Sequence, residues 1–237
     1  MIKISDCILI LATLFCSDSF CYINLLPFQI TEHLEDSIVR AESLSSRIDD
    51  EVLQISGMSS PKVRHLLNNI CSIPGINYLE VGVWKGSTFV SALYRNSINS
   101  AIAIDNWVEF GGPKVEFAQN LKHFLKGHNI KVIERYCFET NLSLFNEAID
   151  VFLYDGRHDF ESQRMAFHYF NPIFSEIFIA IVDDYNWYPV EHGTQAAFAE
   201  LGYNVLFEKH LRAPFGRDVD NDTAYWWNGL YVALISK

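Results

Sequence analysis

Apolar residues fall into two different periods along this chain. In residues 31–56, Leu34, Ile38, Ala41, Leu44, Ile48, Val52 and Ile55 recur every three or four positions, and acidic side chains fill the other face. That spacing predicts one long amphipathic helix, suited to packing on the rest of the domain or on a second copy of the chain in a homodimer. Gly57 and Ser59-Ser60 end it. Ser60 followed by Pro61 is an N-cap with proline at the first helical position. It predicts a second helix that turns Val63, Leu66, Leu67 and Ile70 inward and stops at Pro74-Gly75.

From Asn77 onward the period shortens. Short apolar runs at residues 77–81, 101–104, 130–133, 150–154, 177–182, 204–207 and 230–235 read as strands. Helical spacing returns between them, after Gly86 and at residues 115–125, 142–146, 160–170 and 193–201. Repeated alternation of this kind predicts a mostly parallel sheet covered on both faces. The last two runs have no helix between them, so they are expected to pair antiparallel. The expected fold is therefore α/β: a Rossmann-like, doubly wound, seven-stranded sheet with its last strands antiparallel, plus N-terminal helices. The expected organisation is an apolar leader at 1–27, helices at 28–76 and the main domain at 77–237.

Composition narrows the function classes. A formal net charge of −11 argues against nonspecific binding of nucleic acid or an anionic membrane, since phosphate contacts need clustered Lys and Arg. None of the five cysteines forms a CxxC pair, which fits neither a zinc site nor a disulfide framework. The apolar run from Cys7 to Cys16 is too short for an ordinary membrane-spanning helix. A signal peptide, an interfacial anchor and a mis-assigned start would each explain it. The body of the chain has the character of a cytoplasmic protein.

Chemistry collects where the strands end. Tyr78-Leu79-Glu80-Val81-Gly82-Val83-Trp84-Lys85-Gly86-Ser87-Thr88 reads as a strand, a glycine turn and a helix start. Such a junction serves either as a ligand cradle or as a plain turn. Its Glu-x-Gly-x-x-x-Gly spacing is not the Gly-x-Gly-x-x-Gly of dinucleotide folds. Asp105 follows the turn by about 20 residues at the end of the next strand, where a carboxylate can accept ribose hydroxyls or cap a helix. Asp155 ends the fourth strand, and Asp183 with Asp184 the fifth. In an open parallel sheet those ends converge on one edge. Three carboxylates brought together repel unless a cation compensates, and oxygen ligands favour a hard ion such as Mg²⁺ or Ca²⁺. His158 stands three residues after Asp155, as a general base, as a substrate hydrogen-bond partner or as a helix N-terminal residue ahead of Asp159.

Taken in order, Leu79–Thr88, Ile104-Asp105-Asn106-Trp107, Asp155-Gly156-Arg157-His158-Asp159-Phe160-Glu161 and Val182-Asp183-Asp184-Tyr185 resemble the class I S-adenosylmethionine-dependent methyltransferases. The resemblance is to their small-molecule O-methyltransferase-like branch and covers about residues 60–237. It implies that Glu80, Gly82 and Gly86 lie against the methionine part of S-adenosylmethionine, with Ser87 beside them. It implies that Asp105, with Asn106 next to it, takes the ribose. It also implies that Asp155, Asp183 and Asp184 hold Mg²⁺ while His158 and Asp155 serve the transfer to a small-molecule or sugar hydroxyl. The rivals are an NAD(P)-binding oxidoreductase, against which the glycine spacing and the lack of a Tyr-x-x-x-Lys pair weigh, and a non-catalytic relative. Residues 106–114 suit part of an acceptor pocket or a packed surface loop. Residues 210–228, with Trp226-Trp227, suit a lid or an edge.

Overall fold

The computed structural model describes residues 25–212 and 225–237. Residues 1–24, most of the expected leader, and residues 213–224, most of the segment ahead of Trp226, lie outside them. No helix among the described residues is long and apolar enough to cross a membrane.

Seven strands form one sheet in the order β3-β2-β1-β4-β5-β7-β6. They are β1 (Asn77–Val81), β2 (Ser100–Asp105), β3 (Ile130–Glu134), β4 (Ile149–Tyr154), β5 (Phe174–Val182), β6 (Asn204–Leu211) and β7 (Leu230–Ser236). The first five are parallel, and β7 lies antiparallel between β5 and β6. The helices are α1 (Pro27–Glu42), α2 (Asp50–Leu53), α3 (Pro61–Ile70), α4 (Ser87–Leu93), α5 (Lys114–Phe124), α6 (Phe160–Phe170) and α7 (Tyr188–Leu201).

Alternation along the central strands feeds two cores. Tyr78, Val151, Leu153, Ile179 and Ile181 face α1 and the helices α3 to α5. Leu79, Phe152, Tyr154, Phe178 and Ala180 face α6 and α7. Each such side chain is nearly or wholly buried, and the Val, Leu, Ile and Phe side chains among them contribute about 1.5–3 kcal/mol apiece. Burial on both faces explains why these strands read as continuous apolar runs.

The single helix expected over residues 31–56 is two helices. α1 ends in a Schellman arrangement: Leu44 takes left-handed φ 52, its N–H donates to Ala41 O at 3.0 Å, and Ser45 N–H reaches Arg40 O at 2.9 Å. Residues beyond the break are held by α3, where Asn69 Nδ2 donates to Ser45 O at 2.8 Å and Arg47 N–H donates to Asn68 Oδ1 at 2.9 Å. Ser60 caps α3 as expected, accepting from Val63 N–H at 3.3 Å. β6 runs past residue 207 to Leu211 because pairing with β7 continues under the polar Glu208, Lys209 and His210. Such charges suit an edge strand. The short helix expected at residues 142–146 is a 3₁₀ turn at Leu142–Leu144.

Candidate active site

The C-terminal ends of β1, β2, β4 and β5 open into one cavity of about 900 Å³. Gly82, Asp105, Asn106, Asp155, His158, Asp183 and Asp184 all line it. Glu80, Gly86 and Ser87 do not.

Backbone geometry accounts for the glycine turn. Gly82 has φ 87, and a Cβ on it would lie 1.8 Å from the Asp155 carbonyl oxygen. The chain leaving β1 therefore passes too close to the end of β4 for any side chain. Gly86 has φ 85 and caps α4 under the Phe117 ring, which a Cβ would meet at 2.9 Å. Between them Trp84 is also left-handed, at φ 43. Its N–H donates to Asp105 Oδ2 at 2.8 Å and its carbonyl accepts from Trp107 Nε1 at 2.8 Å.

Asp105 is thereby fixed. Its other oxygen accepts from Trp107 N–H at 2.7 Å, so the carboxylate bridges the two turns and keeps one lone pair on each oxygen for a ligand. Glu80 is placed differently. It is fully buried on the α4 side of β1, accepting from Tyr78 Oη at 2.5 Å and Thr88 Oγ1 at 2.6 Å. Burial pushes its carboxyl up to about 7, although both hydrogen bonds pull the other way. Ser87 lies under residue 57, where its Oγ would be 1.8 Å from a Cβ on Gly57.

Across β4 the acids gather. His158 Nε2 lies 3.4 Å from Asp155 Oδ1 and 3.2 Å from Asp184 Oδ2. Asp155, His158 and Asp184 each bring one ligand atom within 4.8 Å of the others. Asp183 lines the same cavity but is not part of that cluster. Burial, then the neighbouring Asp184, Glu80 and Asp105, hold the Asp155 carboxyl well above the usual range. Burial, then Asp155 and Asp184, do the same for Asp183, with His158 opposing. Asp183 Oδ1 and Asp184 Oδ1 are buried without a hydrogen-bond partner. Buried acceptor-only oxygens without donors fit a bound cation, and a set of carboxylates with one imidazole suits a hard or borderline divalent ion.

Several cavity residues carried no readable signal of their own. Met58, Arg135, Tyr136 and Trp187 line it. Arg135, Tyr136 and Trp187 offered one clue, aromatic or basic character past a strand end, and Met58, between α2 and α3, offered none. The loop after β2 joins the wall through Asn106, Glu109 and Phe110, and Trp84 Nε1 donates to Phe110 O at 3.1 Å. Among the described residues, Trp227 and Asn228 close the cavity on the β7 side.

Residues 79–185 match the family model described as a methyltransferase domain, which spans β1 to the turn after β5. No curated protein matches the sequence. Among solved structures, the O-methyltransferase TomG from Streptomyces achromogenes, involved in tomaymycin synthesis and solved with SAM, superposes at TM-score 0.59 with 12% identity over 90% of this chain and 100% of its own. A candidate RNA methyltransferase from Pyrococcus horikoshii superposes at 0.52 with 16% identity over 86% of this chain and 97% of that one. A candidate SAM-dependent methyltransferase from Streptococcus mutans gives 0.52 with 15% identity over 75% of this chain, and this chain spans 48% of that structure's length. At these identities the superpositions show the fold. The domain match covers residues 79–185, under half of the chain, and the superpositions add the fold around it.

Proposed function

We propose that this protein transfers the methyl group of S-adenosylmethionine to a hydroxyl of a small molecule or sugar, with a divalent ion such as Mg²⁺ assisting. The observation that carries this is the placement, in one cavity, of a donor edge at Gly82 and Asp105 and a carboxylate–imidazole cluster across β4. The antiparallel β7 between β5 and β6 also departs from the 3-2-1-4-5-6 order of dinucleotide folds, which weighs against the oxidoreductase reading.

In this reading the Asp105 oxygens accept the ribose hydroxyls with their remaining lone pairs, and the Gly82 turn lets the methionine part approach the backbone. Asn106 borders the same half of the cavity. Glu80 acts from beneath, tying β1 to α4 rather than touching the donor. His158 takes the proton of the acceptor hydroxyl, so that oxygen can attack the methyl sulfonium in line. An ion held at the cluster by Asp155 and Asp184 would lower the pKa of that hydroxyl, with Asp183 lining the cavity beside them.

Calorimetry with S-adenosylmethionine and its demethylated product, S-adenosylhomocysteine, tests the donor. Binding of neither ligand would sink the proposal. For the ion, turnover should be lost in EDTA and restored by Mg²⁺, and Asp155→Ala should cut it by about 100-fold or more. Turnover indifferent to EDTA would remove the ion from the scheme. Tight donor binding with no turnover on any hydroxyl acceptor would instead favour the non-catalytic relative.

A further inference from the structure

Two adjacent tryptophans meet the cavity in opposite ways. Trp226 is 5% exposed and belongs to the core beneath the N-terminal helices. Its Nε1–H donates to Glu42 Oε1 at 3.1 Å, at the last residue of α1. Lys62 of α3 lies 5.5 Å from the centre of the same ring and pairs with Glu42 as well. Trp227 then takes left-handed φ 54, packs half-buried against the same core, and lines the cavity with Met58, Asp184 and Trp187.

The chain after Trp227 is fixed too. Tyr185 N–H donates to Gly229 O, and Asn186 N–H to Asn228 O, each at 3.0 Å. A Cβ on Gly229 would meet Asn186 Oδ1 at 2.5 Å, so the two turns are packed backbone to side chain. Trp227 is thus clamped from the α1–α3 side before it and from the β5 turn after it. β7 begins beside the C-terminal end of β5, since Val182 pairs with Tyr231. The sheet order therefore sets Trp227 on the far side of β4 from Asp105, away from the ribose and next to the Asp184 cluster. Trp187 adds a second indole there, 45% exposed, with His158 edge-on at 5.2 Å.

We propose that Trp227 is a specificity-determining wall of the acceptor side, set in place by Trp226, and that it takes the flat apolar face of a ring bearing the reacting hydroxyl. This rests on the methyl-transfer reading above. A large rigid indole offers contact area at little entropic cost, and a polar cluster at its edge would aim the hydroxyl of a ring lying against it. Such a face belongs to an aromatic ring or to one side of a pyranose, and the test separates the two.

The full chain is loaded with S-adenosylhomocysteine and Mg²⁺ and titrated calorimetrically with catechol and, separately, with methyl glucoside. One of the two should bind, and which one identifies the kind of ring. Trp227→Ala should weaken that binding by about tenfold or more. Trp226→Phe and Glu42→Ala, which leave Trp227 in the chain, should each weaken it by about threefold while S-adenosylhomocysteine binds as before. Unchanged probe binding in Trp227→Ala, or no binding of either probe to the loaded protein, overturns the proposal. Lower melting temperatures in Trp226→Phe and Glu42→Ala with probe affinity intact overturn the positioning role. Failure of S-adenosylhomocysteine itself to bind is a different result, which overturns the methyl-transfer reading first.

Discussion

Glu80 shows how neighbours set the surroundings of one carboxyl. The Glu-x-Gly motif points at a donor contact, but the two-residue period of β1 puts Glu80 on the same face as Tyr78, under α4. Tyr78 and Thr88 then occupy an oxygen each. A carboxyl whose folded value is about 7 rather than 4.5 binds more protons folded than unfolded between those pH values. Its contribution is full below about pH 4.5 and is lost as pH rises through about 7, amounting to about 3 kcal/mol. Glu80→Gln should therefore flatten this part of the pH dependence, so that urea midpoints at pH 5 and pH 8 differ less than in the wild type. Equal slopes in both proteins would contradict the burial argument. Affinity for S-adenosylhomocysteine should stay within about twofold if Glu80 is a brace, because no donor contact is removed.

At the scale of elements, α6 is what delivers His158. Asp159 caps it, accepting from Ser162 N–H at 2.9 Å and Ser162 Oγ at 2.9 Å, while Arg157 Nε donates to it at 3.2 Å. The residue before the cap is His158, so losing the cap loosens the imidazole. Asp159→Ala should cost about 1 kcal/mol of stability and lower turnover more than it weakens donor binding, read as kcat against the donor Kd. Donor binding and turnover falling together would mean that the cap supports the whole cavity instead. The Ser60 cap of α3 was legible, as were the strands and the antiparallel finish, because periodicity and capping are local signals. The break after α1 was not. Ile48, Val52 and Ile55 keep the helical period across it, and no glycine or proline marks it. What ends the helix is Leu44 in a left-handed turn and Asn68 and Asn69 reaching over from α3, which are contacts between distant residues. The site was legible to the same degree. Strand ends gave Asp105, Asp155, Asp183 and Asp184, whereas the grouping of His158 with Asp155 and Asp184, and Trp227 as a wall, depend on turns that only tertiary packing sets.

For the whole molecule the consequence is an interior stocked with acids. Glu80, Asp155 and Asp183 are all held above the usual carboxylate range with burial as the first cause. Each raises stability on the acid side and withdraws that contribution as pH climbs through its own folded value. With a net charge of −11, self-repulsion adds to the loss at high pH. A divalent cation held as proposed would reverse the balance at the cluster, since it would bind the ionised carboxylates and only the folded chain brings them together. At about 100 times its Kd it would add about 2.7 kcal/mol, or about 5 °C in melting temperature for a chain of this size. The gain should be larger at pH 8 than at pH 5.5, where protons compete for the same oxygens. It should disappear in the Asp155→Asn, Asp184→Asn double variant, whose amides cannot hold the ion with comparable strength. A Mg²⁺ or Mn²⁺ shift that is equal at both pH values, or that survives in the double variant, would place the bound ion elsewhere on the acidic surface and leave the cluster to His158 alone.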